Sequence, residues 1–197
     1  MTRQRLIVSG VDHSAQTGRH RLSEHPGDRY DTPPIAVEAL LNVERDFFRL
    51  PRRIWEPAAG CGNIVLSLRA AGHEIVASDL NDRGCPDCID RIDFLLPMEC
   101  RCDAIITNPP YALAERFVQL AIERAPMVMM LLRLAFLESE RRAPLLDGSL
   151  SRVHVFARRL PMMHREGWSG RKASSAIPFA WFVWDRNHRG PTTIDRI

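Results

Sequence analysis

The sequence predicts a Rossmann-like α/β fold, a doubly wound and mostly parallel sheet, and three stretches carry that prediction. Arg53 to Trp55 reads as a strand, Glu56-Pro57-Ala58-Ala59-Gly60-Cys61-Gly62-Asn63 as a glycine turn, and Ile64 to Ala71 as a helix that Gly72 ends. A second strand, Glu74 to Ser78, stops at Asp79. Farther on, Ala104-Ile105-Ile106-Thr107 is an apolar strand that halts at Asn108-Pro109-Pro110-Tyr111. Consecutive prolines cannot extend a central strand, because each lacks a donor and restricts the residue before it. The strand therefore ends in a rigid turn at the carboxyl edge of the sheet, which is where open α/β sheets bind ligands.

With 197 residues and 45% apolar content, the chain has the size of one α/β domain with a substantial core. The net charge is +3, only mildly basic, and Lys172 is the sole lysine among 27 basic residues. Such arginine bias suits bidentate phosphate contacts, but a GC-rich coding sequence produces it as well. There is no apolar run of about 18 residues and no signal peptide after Met1-Thr2-Arg3, so a soluble, cytoplasmic protein without membrane association is expected. Met1 to Arg29 has no sustained period and is expected to be a flexible arm, leaving 30–197 as a single domain.

Order is expected from Tyr30-Asp31-Thr32-Pro33-Pro34 onward. Thr32 is placed to cap a helix with Pro33 at its first position, and Val37, Leu40, Leu41, Phe47 and Phe48 fall on one helical stripe. The free N–H groups of a helix start suit a carboxylate, such as that of a methionine moiety. In the glycine turn, Val65 stands where the dinucleotide fingerprint has its third glycine, which argues against NAD or FAD. Glu56 beside the turn would repel a pyrophosphate yet can hold an amino group or a water. The pattern points to a nucleoside cofactor without phosphates. Asp79, 17 residues after Gly62, is placed to accept both hydroxyls of a ribose. Asp93 can accept an adenine amino group with Phe94 packing on the ring, although Asp87 and Asp90 compete for that role.

Asn108-Pro109-Pro110-Tyr111 suits methyl transfer to a planar amino nitrogen. Such a nitrogen is a poor nucleophile because its lone pair is delocalised. Two acceptors, the Asn108 side-chain oxygen and the Pro109 carbonyl, can each take one N–H and aim the lone pair at an electrophilic methyl. Tyr111 would stack on the group being held, and Pro109 and Pro110 would fix the geometry. A proline turn that merely caps a strand is the simpler alternative for the tetrapeptide alone.

EPAAGCGN, ASDL, IDFL and NPPY, in this order, resemble a class I S-adenosylmethionine-dependent methyltransferase over roughly Tyr30 to Trp184. NPPY is the mark of the amino-methylating branch, and YDTPP ahead of the glycine turn is similar to DNA adenine-N6 methyltransferases of phage and prophage type. The resemblance implies S-adenosylmethionine as cofactor, held by Tyr30, Thr32, Glu56, Pro57, Ala58, Gly60, Gly62, Asp79, Asp93, Phe94 and Asn108. It implies Asn108, Pro109, Pro110 and Tyr111 as the catalytic turn and a seven-stranded sheet whose last strand is antiparallel. Methylation of adenine N6 in DNA follows, with the base extruded from the duplex or already single-stranded. RNA base amines and protein glutamine are alternative acceptors for the same motif, and a non-catalytic cofactor-binding subunit is the alternative of another class. One departure is that only 45 residues separate Gly62 from Asn108, too few for a target-recognition domain there. Specificity is then expected to be short or weak, or to come from a loop, a partner protein or a homodimer.

The remaining stretches fill in the sheet. A helix is expected from Ala112 to Ala125, an apolar strand from Met127 to Leu134, a sixth strand from Val153 to Ala157 and a final one from Phe179 to Trp184. Arg133 and Phe136 cross the sheet edge near the proposed site and are candidate substrate contacts. Pro161 to Ser175 carries His164, Arg165, Trp168, Arg171 and Lys172 around two glycines. Basic residues interleaved with an aromatic suit a nucleic-acid-binding loop, and a plain exposed hairpin is the competing reading. Trp181 and Trp184 fall on opposite faces of the last strand and read as packing residues. Cys85, Cys88, Cys100 and Cys102 could form a zinc site, but the C-x-C spacing is tight and the residues between them look like core. Free thiols are expected, with no metal in the chemistry.

Overall fold

The computed structural model describes residues 31–89, 91–160 and 177–197. The arm before Asp31, including Tyr30, lies outside them, as do Asp90, His164, Arg165, Trp168, Arg171 and Lys172. The strands are β1 (Arg53–Glu56), β2 (Glu74–Ala77), β3 (Ala104–Thr107), β4 (Met127–Arg133), β5 (Leu150–Val155), β6 (Phe179–Asp185) and β7 (Thr193–Arg196). They form one sheet in the order β2-β1-β3-β4-β6-β5-β7. Only β6 runs against the others, pairing antiparallel with both β4 and β5. The mostly parallel, doubly wound sheet with one antiparallel strand near its end is the architecture expected.

Burial on both faces explains why the strands read as apolar runs. On β6, Phe179, Trp181 and Val183 join one core cluster while Ala180, Phe182 and Trp184 join the other. Helices α1 (Pro34–Val43) and α3 (Asn63–Ala70) cover the first face through Val37, Leu40, Val65 and Leu68. Helix α4 (Ala114–Arg124) covers the second through Phe117, Val118 and Ala121. The polar tips of the two tryptophans are satisfied: Trp181 Nε1 donates to the Ala36 carbonyl and Trp184 Nε1 to that of Leu145, both at 2.7 Å. They are packing residues, as their alternation implied.

Four local expectations are corrected. The third strand implied between Asp79 and Asp103 reduces to a single bridge between Ser78 and Ile89, because Asp87 (φ 55°) and Arg91 (φ 60°) take the chain out of extended geometry on either side. The seventh strand is instead the edge strand β7, parallel to β5, with all its residues exposed and therefore no apolar signal in the sequence. The strand expected at Val153 to Ala157 begins three residues earlier, at Leu150. The first helix starts at Pro34 with Pro33 at its cap, and the Thr32 hydroxyl does not cap it.

That helix also ends before the aromatic pair. Glu44 breaks it, and Phe47 and Phe48 sit on a separate turn, α2 (Arg45–Phe48). Glu44 is buried, and its Oε1 accepts from Arg152 Nε at 2.6 Å and lies 2.8 Å from His154 Nε2. Arg152 NH2 completes the fork at 3.0 Å to Oε2. Burial alone would raise the Glu44 carboxyl, but the His154 and Arg152 hydrogen bonds hold it below its usual range. The break is thereby tied to β5 across the face of the sheet. Because Arg152 stays partly exposed, removing it should cost less than the roughly 3–5 kcal/mol of breaking a fully buried pair.

Candidate functional site

The order of strands reverses between β1 and β3: β2 lies on one side of β1 and the remaining strands on the other. Ligands in open α/β sheets bind at that switch point, outside the carboxyl ends of the strands. A cavity opens there, lined by Pro57 to Cys61 after β1, by Asp79 to Asn81 after β2 and by Asn108 to Tyr111 after β3. Asp31 and Thr32 close it from the segment before α1, and Asp93, Phe94 and Leu95 from the loop before β3. The glycine turn, the aspartate and the proline turn therefore face one another across a single space.

Most of the residues singled out in the sequence meet here. Thr32, Pro57, Ala58, Gly60, Asp79, Asp93, Phe94, Asn108, Pro109, Pro110 and Tyr111 all border the cavity. Gly60 has φ +56°, and a β-carbon there would come no closer than 3.9 Å to Asp31, so its backbone stays open to a ligand. Asp79 is only 7% exposed and braces the turn. Its Oδ2 accepts the Gly60 N–H at 2.9 Å and its Oδ1 accepts the Asn81 N–H at 2.9 Å, with Arg83 Nε at 3.4 Å. Oδ2, away from the Arg83 contact, retains a second lone pair for a hydroxyl donor.

The proline turn is held from two directions. Asn108 Nδ2 donates to Thr32 Oγ1 at 3.0 Å, and Asn63 Nδ2, at the start of α3, donates to the Thr32 carbonyl at 2.9 Å. Pro110 has φ −55° and ψ 120°, an extended geometry, and the chain then enters a short 3-10 turn from Tyr111 to Leu113. The Tyr111 ring lies 4.7 Å from the Arg133 guanidinium carbon and 5.6 Å from the Phe179 ring. Arg133 and Phe179 are register partners on β4 and β6, so the sheet itself presents both to the tyrosine.

Other residues singled out in the sequence lie off the cavity wall or are engaged in packing beside it. Glu56 is fully buried beneath the turn rather than facing the cavity, and its Oε1 accepts the Ala58 N–H at 3.0 Å. Burial pushes its carboxyl up to about 8, with the Asp79 carboxylate adding to the rise, so near neutrality it is an uncharged acid supporting the loop. Gly62 is also absent from the cavity wall: at φ +91°, a β-carbon there would lie 2.9 Å from Cys85 Sγ, so this glycine serves packing. Phe94 forms part of the floor, but its ring is committed to the core between Trp55 and Phe117, at 5.1 and 4.8 Å. Phe136 is buried against Phe182, away from the cavity, under the guanidinium of Arg142. Arg133 is not part of the wall either, and its guanidinium stacks on the Tyr111 ring that is.

Some lining residues carried no clear signal in the sequence. Asn63, Leu80, Ile92 and Leu95 stood inside the quoted motifs with no role of their own, and Asn81, Arg83, Leu113 and Phe117 looked like loop or core. Burial, with the Asp31 carboxylate beside it, raises the Cys61 thiol, which fits a packing role in the turn. Cys85 packs in the core of one sheet face while Cys100 and Cys102 pack on the other, so the four thiols considered for zinc do not converge. Among the described residues no helix is long and apolar enough to cross a membrane.

No protein-family model matches the chain, and no curated protein matches it in sequence. Solved structures do resemble it. A candidate RNA methyltransferase from Pyrococcus horikoshii superposes with a TM-score of 0.61 at 16% identity, over 83% of this chain and 93% of that one. A candidate class I S-adenosylmethionine-dependent methyltransferase from Listeria monocytogenes gives 0.61 at 12% identity, over 84% of this chain and 65% of that one. The fold is that of class I methyltransferases. A modification subunit of a candidate type I restriction enzyme from Vibrio vulnificus shares this methyltransferase fold, with a TM-score of 0.58 and 15% identity, over 89% of this chain and 48% of that one. At these identities the likeness speaks for the fold, and the chemistry has to be argued from the side chains.

Proposed function

We propose that the protein transfers a methyl group from S-adenosylmethionine to the exocyclic N6 amine of adenine in DNA. The observation that carries this reading is the shared cavity, in which Asn108 of the proline turn faces the glycine turn and Asp79. The residues present fit the cofactor: Gly60 leaves the backbone open, Asp79 has acceptor capacity for ribose hydroxyls, and Asp93 stands at the adenine end. Tyr30 and Thr32 would border its methionine end. When bound there, the cofactor supplies an electrophilic methyl group. Asn108 and the Pro109 carbonyl would accept the two N–H groups of the target amine and direct its lone pair, and Tyr111 would hold the base plane by stacking.

The transfer is a direct displacement and needs no covalent enzyme intermediate. Pro109 and Pro110 restrict the turn before the substrate arrives, which suits positional catalysis. Arg165, Trp168, Arg171 and Lys172, which precede β6 in the sequence, are proposed to contact the nucleic acid, and a partner protein or second copy to supply further specificity. The test is methyl transfer from labelled S-adenosylmethionine to duplex DNA, single-stranded DNA, RNA and a translation release factor in parallel. Label in DNA supports the reading. Label confined to RNA or protein keeps the methyltransferase but overturns its substrate, and no label on any acceptor despite cofactor binding favours a non-catalytic subunit.

A further inference from the structure

Beyond the cavity, the carboxyl edge of the sheet continues along the end of β4, the start of the antiparallel β6 and the ends of β5 and β7. Backbone hydrogen bonds tie this rim together. The Leu134 N–H donates to the Pro178 carbonyl at 2.9 Å, the Phe156 N–H to that of Phe179 at 3.3 Å and the Ala157 N–H to that of Ile197 at 2.7 Å. Arg158 and Arg159 follow β5 here, held between Ala157 and the buried Leu160, and Arg196 closes β7 beside Val155. All three are exposed, and none forms an ion pair or a side-chain hydrogen bond with another described residue. By contrast, Arg53, Arg69, Arg83 and Arg141 each meet a carboxylate. The acid next to Arg196, Asp195, belongs to the other face of the strand, 3.9 Å from His154 Nδ1. Glu138 and Glu140, also exposed, follow β4.

Three guanidinium groups gathered on one rim without counter-charges suit an anion with repeated charges, and their planar forks match phosphate oxygens. Three strand spacings separate β3 from β5 and four separate it from β7, so the arginines stand roughly 14–19 Å from the end of the strand that carries Asn108. At about 3.4 Å per base step, that is roughly four to six steps of a duplex. We infer that Arg158, Arg159 and Arg196 form a phosphate-contact row that takes the DNA backbone several nucleotides away from the base held at Asn108. This rests on the reading of DNA as the acceptor.

The test is binding of a fluorescent duplex of about 20 base pairs to the full chain without cofactor, by anisotropy over a range of salt, with an RNA duplex in parallel. The slope of log affinity against log salt should become shallower by about 0.9 for each arginine replaced by alanine, and by about 2–3 when all three are replaced. Arg158→Lys, Arg159→Lys and Arg196→Lys together keep the charge and should keep the wild-type slope, which separates lost charge from a lost fold. Arg101→Ala, at an exposed position on the amino-terminal side of β3, should leave the slope unchanged. An unchanged slope in the triple alanine protein, an equal change in Arg101→Ala, a lysine protein that behaves like the alanine one, or an effect confined to RNA overturns the row. DNA that is methylated while the slope stays unchanged overturns the row alone. DNA that is bound through the three arginines but never methylated leaves the row in place and overturns the functional reading.

Discussion

At the scale of single residues, Asp79 has a structural role that its place in the sequence did not reveal, beside its proposed one at the cofactor. It was expected to hold a ribose, and the structure shows it also holding the glycine turn through the Gly60 N–H and the following loop through the Asn81 N–H. Asp79→Ala should weaken S-adenosylmethionine binding by roughly 1.5–3 kcal/mol. Asp79→Asn keeps an acceptor for the turn but gives up the charge, so its loss should be smaller. Calorimetry with both variants checks this, and unchanged affinity in Asp79→Ala would remove Asp79 from the cofactor site. Asn108 is the complementary case: Asn108→Ala should abolish most turnover and leave cofactor affinity near normal, a split that steady-state kinetics and calorimetry read together.

At the scale of elements, the loop before β3 shows how a cavity wall is held without regular secondary structure. Arg124, at the end of α4, donates through one guanidinium nitrogen to the Phe94 carbonyl and through the other to that of Leu96, at 3.0 Å for the second. Its guanidinium also lies 4.7 Å from the Phe94 ring centroid, and Asp93 Oδ1 accepts the Leu95 N–H at 2.8 Å. Arg124→Ala should release this loop, raise amide exchange at Leu95 and Leu96, and weaken cofactor binding by roughly 1–3 kcal/mol; unchanged exchange and affinity would show that the loop stands alone. The sequence made the buried elements legible, because β3, β4 and β6 are apolar runs bounded by prolines or charges. It did not reveal β7, whose exposed side chains carry no pattern, or the break at Glu44, whose partners Arg152 and His154 come from a strand more than a hundred residues later. The turn from Asn108 to Tyr111 at the end of β3 could be read as a turn, since two prolines have few conformations. Glu56, Gly62 and Phe136 lie off the cavity wall for one reason: the sequence gives the order of residues, while burial decides which of them face the cavity.

At the scale of the whole molecule, two buried carboxyls pull the pH dependence of stability in opposite directions. Glu44 has a lowered pKa in the fold, so its contribution is present above the usual carboxylate range and is lost as pH falls through the folded value. Glu56 is raised from 4.5 to about 8, so the folded protein keeps a proton that the unfolded chain releases, and stability drains as pH climbs between those values. Glu56→Gln retains the acceptor for the Ala58 N–H and carries no charge at any pH. Its advantage over wild type should grow between pH 5 and pH 8, reaching on the order of 2–4 kcal/mol, as read from denaturant unfolding across that range. Parallel stability curves for the two proteins would contradict the buried, neutral Glu56.

The central claim is that this fold delivers a methyl group to an exocyclic adenine nitrogen, and the most direct measurement identifies the atom that receives it. DNA incubated with the protein and S-adenosylmethionine is digested to nucleosides and analysed by mass spectrometry, with Asn108→Ala in parallel. N6-methyldeoxyadenosine with wild type and none with Asn108→Ala is the predicted result. A methyl group on carbon or on a ring nitrogen, or equal product with Asn108→Ala, would contradict the account.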